Sequence, residues 1–169
     1  MPARATVDRP YGPFYRENAP HRAKVSPPLA AGTTLVQSGR IWGLGTRRPL
    51  AGARMEIWQV DIQGRYSDGV KDRSYRASLI TSGDGAYEFE TIHPVGYKPS
   101  PDFLRSPHIH YQVVHPGYRT LVSELFFAGD SQHDEDTLFH PDLVVTLTRE
   151  ATEGRAWEAG RFDIVLDPA

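Results

Sequence analysis

Arg105-Ser106-Pro107-His108-Ile109-His110-Tyr111-Gln112-Val113-Val114-His115 is the stretch on which the reading of this chain turns. Its second half reads as a β-strand. In an extended strand, residues two apart share a face, so His108 and His110 project together while Ile109 points the other way. A strand is a stiff mount, and it aims two imidazoles at one point with little entropic cost. A lone His-x-His pair is nevertheless common in β-proteins that bind no metal, so its meaning depends on its surroundings.

Outward from that strand the chain has a β texture from Thr34 onward. Candidate strands are Leu35 to Leu44, Arg54 to Val60, Ser78 to Thr81, Ala86 to Thr91, His108 to His115, Arg119 to Phe127 and Gly160 to Leu166. Turn residues separate them, as in Arg48-Pro49-Leu50-Ala51-Gly52, Ser82-Gly83-Asp84-Gly85 and His115-Pro116-Gly117. Tyr87, Phe89 and Thr91 alternate with Ala86, Glu88 and Glu90, the pattern of a half-buried strand. Residues 142–157 admit a strand through Leu143 to Leu147 followed by a polar excursion. The fold class is all-β, an antiparallel sandwich or barrel-like core of mixed strands with long loops. Residues 1–32 read as an extended arm and 33–169 as the folded domain. Tyr11, Phe14 and Tyr15 make the arm too aromatic for a simple linker, and it is expected to pack on its own domain or a neighbouring subunit.

Composition narrows the chemistry. The 169 residues are 39% hydrophobic, enough for a sizeable core. A formal net charge of -2 offers no bulk attraction to nucleic acid or to a membrane surface. Cysteine is absent, which removes disulfides, thiolate catalysis and Cys-ligated metals, so any metal must sit on N and O donors. The first ten residues lack an apolar signal-peptide core, no run reaches transmembrane length, and a cytoplasmic location is expected.

Three segments taken together resemble the intradiol ring-cleaving dioxygenases over about Gly12 to Leu166. They are Trp58 through Gly64-Arg65-Tyr66, then Pro94-Val95-Gly96-Tyr97, then Arg105-x-x-His108-Ile109-His110. The closing Arg161-Phe162-Asp163-Ile164-Val165-Leu166 is similar to the family's final strand. The resemblance implies a ferric, Fe(III), centre held by Tyr66, Tyr97, His108 and His110, and a catecholic substrate cleaved with O2 between its two hydroxylated carbons to a cis,cis-muconic acid type product. By position, Tyr97 matches the tyrosine displaced by substrate, His110 lies opposite it, and Tyr66 and His108 stay in the plane. Two phenolates and a hydroxide would balance a trivalent ion, with neutral imidazoles adding no charge. Arg105 resembles the arginine beside the bound ring, able to stabilise charge developing there. Trp58 is expected to be a core residue.

The chain also departs from the family. Ser123-Glu124-Leu125 stands where a Gln is usual, so Glu124 joins Tyr97 and Arg105 as a catalytic candidate and would soften the cation's pull on substrate. The loop from Tyr97 to His108 is shorter than in protocatechuate-cleaving relatives, so substrate identity does not transfer. The chain is similar in size to the protocatechuate-cleaving type, a resemblance that implies a homo-oligomer or a hetero-oligomer with a related chain.

Leu50 to Ile57 and Asp84 to Phe89 resemble transthyretin-like and carboxypeptidase-regulatory modules, non-catalytic sandwiches that need neither Tyr97 nor His-x-His. A cupin-type metal site wants a Glu a few residues beyond its second His, whereas Glu124 lies fourteen further on. His21, His93, His115, His133 and His140 lack companions at ligand spacing and read as surface or capping residues. The acidic run Asp130 to Asp136 lacks the calcium-loop pattern and reads as solvated.

Overall fold

The computed structural model describes residues 4–46 and 48–169, so the first three residues of the expected arm lie outside the described residues. Among the described residues, twelve strands form two principal sheets and one small ribbon. The first sheet is built around β1 (Thr34–Gly43), whose strict alternation of half-buried and buried positions is the period-2 signature of a strand with one face on the core. β4 (Ala86–Ile92) lies antiparallel along one edge of β1. The opposite edge is shared by two parallel strands, β11 (Arg155–Arg161) and then β12 (Ile164–Leu166). The predicted closing strand is therefore interrupted at Phe162 and Asp163. Asp163 uses the break: its carboxylate accepts from the Arg40 amide (3.0 Å) and the Trp42 indole (3.2 Å), tying β1 to the bend. β10 (Leu147–Thr152) completes this sheet as a hairpin with β11, which resolves the ambiguous 142–157 segment.

The second sheet has the order β3 (Arg76–Ile80), β2 (Arg54–Trp58), β7 (His108–Val114), β8 (Leu121–Phe127) and β9 (Val144–Val145). Alternation sorts its residues cleanly. Met55, Ile57, Ile109, Tyr111, Val113, Leu121 and Leu125 face the first sheet and meet Leu35, Ile41, Phe89 and Ile164 in one core. Each such side chain contributes about 1.5–3 kcal/mol on leaving water. The arrangement is the all-β sandwich expected from the sequence, with a few parallel pairs. Its two sheets do not close into a barrel.

The even-numbered residues of β7 point away from that core, yet His108 and His110 are only 2% exposed. Three loops and the N-terminal arm cover them. The arm begins on the first sheet, where Thr6 exchanges hydrogen bonds with Val165 (3.0 and 2.9 Å). It crosses to the second sheet, with the Arg9 amide donating to the Val122 carbonyl (2.7 Å) and Ser123 Oγ donating to the Val7 carbonyl (2.7 Å). Beyond the site it pairs with Ser78 on β3 and Glu90 on β4. Among the described residues no helix is long and apolar enough to cross a membrane.

Candidate metal centre

Register sets the geometry of the site. Trp58, His110 and Glu124 are direct cross-strand neighbours on the outward face of the second sheet, and His108 faces Phe126. Tyr66 arrives from the loop after β2. Asp61 shapes that loop by accepting from the amides of Gln63 (2.8 Å) and Arg65 (3.0 Å), and Gly64 turns it at φ +74°. A side chain at Gly64 would stand 3.0 Å from Cβ of Tyr97, so the glycine lets the two tyrosine-bearing segments close together. Tyr97 opens β5 (Tyr97–Ser100), which pairs with β6 (Phe103–Arg105) and puts Tyr97 opposite Arg105. This ribbon occupies what the sequence suggested was plain loop.

The four expected donors converge. Tyr97 Oη lies 3.4 Å from Tyr66 Oη, Tyr66 Oη 3.5 Å from His108 Nε2, and His108 Nε2 3.2 Å from His110 Nε2. His108 Nδ1 is 2.7 Å from the Ser106 carbonyl, which can only accept, so the ring proton sits on Nδ1 and Nε2 offers a lone pair. His110 Nδ1 has Glu124 Oε1 at 3.4 Å, close but not aligned for a hydrogen bond, and the carboxylate favours the same tautomer. Two lone pairs thus face each other across 3.2 Å inside the protein, an arrangement that asks for a cation between them.

Electrostatics point the same way. Burial, reinforced by Arg105, lowers His108 to about 3, and burial with His108 alongside holds His110 well below its ordinary value, so both rings are neutral. Burial raises both tyrosines, Tyr66 most strongly, with Tyr97 beside it adding to the effect. Ionised phenols are therefore unfavourable here without a compensating cation, which a hard trivalent ion would supply. By donor chemistry and spacing, the residues present fit a ferric ion. Among the described His and carboxylate side chains, His108, His110 and Glu124 form one cluster with ligand atoms within 4.8 Å of one another. Glu124, however, stands at His110 Nδ1, on the side of the ring away from His108 Nε2.

Arg105 lies beside the cluster, 5% exposed, between two buried carboxylates. Nη2 donates to Glu124 Oε1 (2.9 Å) and Nε to Asp136 (3.2 Å). Burial alone would lower the guanidinium, but Glu124 and then Asp136 outweigh it and raise it. Burial raises Glu124 against the pull of Arg105. For Asp136 the balance reverses, because Arg105 and the amides of Leu138 and Ser106 overcome the cost of burial and lower it.

Asp136 corrects the reading of its segment as a solvated acidic loop: it is 4% exposed and also accepts from Ser106 N and Oγ (2.8 and 2.9 Å). Nothing local in the run Asp130 to Asp136 singles it out, because its partner is 31 residues away. Trp58 is buried as expected, but on the outward face, parallel to His110 at 5.0 Å rather than in the core. The arm also enters the site. Phe14 stacks on Tyr66 at 4.3 Å, and a Cβ at Gly12 would come within 3.7 Å of His110 Cε1. Of the remaining histidines, His140 caps the turn Pro141–Leu143 and His93 pairs with Glu158, both away from the cluster.

These features define a class, a β-sandwich carrying a two-tyrosine, two-histidine cluster, its histidines buried and its tyrosines half-buried, on the outer face of one sheet. Comparison with known proteins assigns it further. The sequence model of the dioxygenase family matches residues 11–168. A 6-chlorohydroxyquinol 1,2-dioxygenase of Cupriavidus pinatubonensis is 34% identical over 188 residues, covering 99% of this chain and 66% of the relative. A hydroxyquinol 1,2-dioxygenase of Nocardioides simplex is 32% identical, covering 98% and 66%. Among solved structures, the dioxygenase domain of a carbohydrate-binding fusion from Streptomyces sp. SirexAA-E superposes with a TM-score of 0.82 at 30% identity, covering 98% of this chain and all of that one. Catechol 1,2-dioxygenase from Acinetobacter sp. ADP1 gives 0.87 at 26% identity, covering 95% and 62%. The chain belongs to the intradiol ring-cleaving dioxygenase family. It spans about two thirds of the length of these curated relatives.

Proposed function

We propose that this protein is a non-haem Fe(III) dioxygenase that cleaves a catechol-type ring between its hydroxylated carbons with O2, giving a cis,cis-muconate-type product. Tyr66, Tyr97, His108 and His110 are the ligands in this reading, and the observation that carries it is the convergence of their donor atoms at 3.2–3.5 Å spacings. When bound, the ferric ion would supply Lewis acidity and draw electron density from a chelated catecholate.

The chain's own residues supply the rest. Ser106 fixes the His108 tautomer and the Glu124 carboxylate biases that of His110, so both Nε2 atoms are presented as donors. Held as its phenolate by a bound cation, Tyr97 offers the oxygen that would take a proton from the incoming diol. Arg105, with Nε and Nη2 already engaged, stabilises charge on the substrate ring as a hydrogen-bond donor more than as a net cation, because two carboxylates flank it. Trp58 and Phe14 stack against His110 and Tyr66 and exclude water from the donors. A transthyretin-like binding module is not favoured: it has no use for this buried titratable cluster. The same proposal places the enzyme in the cytoplasm, as a homo-oligomer or a hetero-oligomer with a related chain.

The test is colour followed by turnover. Iron-loaded protein should show the visible tyrosinate-to-Fe(III) charge-transfer band, and a panel of catechol, hydroxyquinol and protocatechuate should yield ring-opened diacids. A colourless protein holding stoichiometric zinc would overturn the reading.

A further inference from the structure

A file of aromatic rings runs from the candidate metal centre to solvent, and the proposed chemistry makes no redox use of it. Trp58 lies parallel to His110, with 3° between the planes and 5.0 Å between centroids. Tyr15 meets Trp58 at 5.0 Å, and Tyr11 meets Tyr15 at 4.7 Å and Trp58 at 6.4 Å. Trp58 is 2% exposed and Tyr11 39% exposed, so the file begins at a ring touching the donor cluster and ends in water.

These are the readily oxidised aromatic types, in van der Waals sequence. The middle member also has what a tyrosine needs to give up an electron easily, an acceptor for its proton. Tyr15 Oη donates to Glu56 Oε2 at 2.7 Å, and Glu56 is a buried carboxylate held by Arg54. A phenol that loses an electron becomes a strong acid, so a carboxylate at that distance lets electron and proton leave together. Sulfur competes little among the described residues: the chain has no Cys, and Met55 is sealed in the core.

We propose that Trp58, Tyr15 and Tyr11 form a relay that drains oxidising equivalents from the iron site to the surface when hydrogen peroxide reacts there without a bound aromatic substrate. The proposal rests on the reading of the cluster as an iron site. Each pass moves one electron inward. Trp58 gives an electron to the oxidised site and regains one from Tyr15, whose phenolic proton passes to Glu56. Tyr11 then refills Tyr15, Glu56 returns the proton, and Tyr11 releases its own proton to water. A phenolic reductant in solution, the class to which a catechol belongs, returns a hydrogen atom to Tyr11. Two passes with two protons convert one hydrogen peroxide to two waters and two phenols to phenoxyl radicals.

The experiment treats iron-loaded protein with hydrogen peroxide, without aromatic substrate, in the presence of a nitroso spin trap. Peptide mass spectrometry then locates the adducts. Wild type should carry the adduct on Tyr11, and Tyr15→Phe should lower it several-fold while oxidised Trp58 accumulates. Trp58→Phe should abolish the Tyr11 adduct and move oxidation onto His108 and His110. Glu56→Gln, which keeps the shape but accepts a proton poorly, should also lower it. Coloured, iron-loaded wild type with no adduct on Tyr11, or with an adduct indifferent to Tyr15→Phe, would overturn the relay alone. A preparation that binds no iron would overturn the relay together with the reading beneath it.

Discussion

Arg105 Nη2 and Glu124 Oε1 stand 2.9 Å apart with both side chains almost sealed from solvent. Glu124 lies directly across the sheet from the candidate ligand His110, with Oε1 3.4 Å from its Nδ1. Because Asp136 holds the other flank of the guanidinium, Glu124 makes the trio anionic. Glu124→Gln keeps a hydrogen-bond acceptor and removes the charge. It should favour rings bearing their own carboxylate, raising kcat/KM for protocatechuate relative to catechol by about tenfold, or ~1.4 kcal/mol. Steady-state kinetics on the two substrates check this, and an unchanged ratio would show that the carboxylate is not felt by the substrate.

Asp136→Asn removes the buried acid that accepts from Arg105, Ser106 and Leu138. Breaking such a pair leaves a buried charge partly uncompensated and should cost about 3 kcal/mol in urea denaturation at neutral pH. The Asp136 folded-state pKa lies below its ordinary 3.8, chiefly because Arg105 outweighs burial. Its contribution is therefore present above 3.8 and lost as pH falls through the depressed value. The gap between wild type and variant should narrow in that acid range.

The two histidines act over a different window. His108 is lowered to about 3 from 6.5, so in metal-free protein it stays neutral where the unfolded chain takes up a proton. Unfolding binds more protons between those values, and stability must fall as pH drops from 6.5 toward 3, by up to about 1.4 kcal/mol per pH unit for each such histidine. His110 adds to the same slope. Stability of metal-free protein measured against pH should be shallower across this range for His108→Gln.

Tyr66→Phe and Tyr97→Phe should each weaken or shift the visible band and lower iron content. Their effect on the metal-free fold should be small, about 1 kcal/mol, because each deletes a part-buried phenolic oxygen whose hydrogen-bond contacts, among the described residues, are within the donor cluster. Metal analysis and thermal melts of the same samples separate the two quantities. Equal loss of stability with and without iron would mean that the tyrosines serve the fold, not the ion.

What the sequence determined by itself was local or periodic. The alternation along β1 and β4, the turn residues and the paired outward aim of His108 and His110 follow from a two-residue repeat that needs no partner strand. The tyrosines were legible only through motif order, since nothing in the spacing of Tyr66 and Tyr97 brings their oxygens to 3.4 Å. Tertiary structure alone decided the rest. Strand register set Trp58, His110 and Glu124 in one row, the path of the arm laid Phe14 on Tyr66, and loop closure carried Asp136 out of an acidic run to Arg105. Those contacts join residues 14 to 52 positions apart, and a chain's local preferences carry no information about which distant groups share a buried volume.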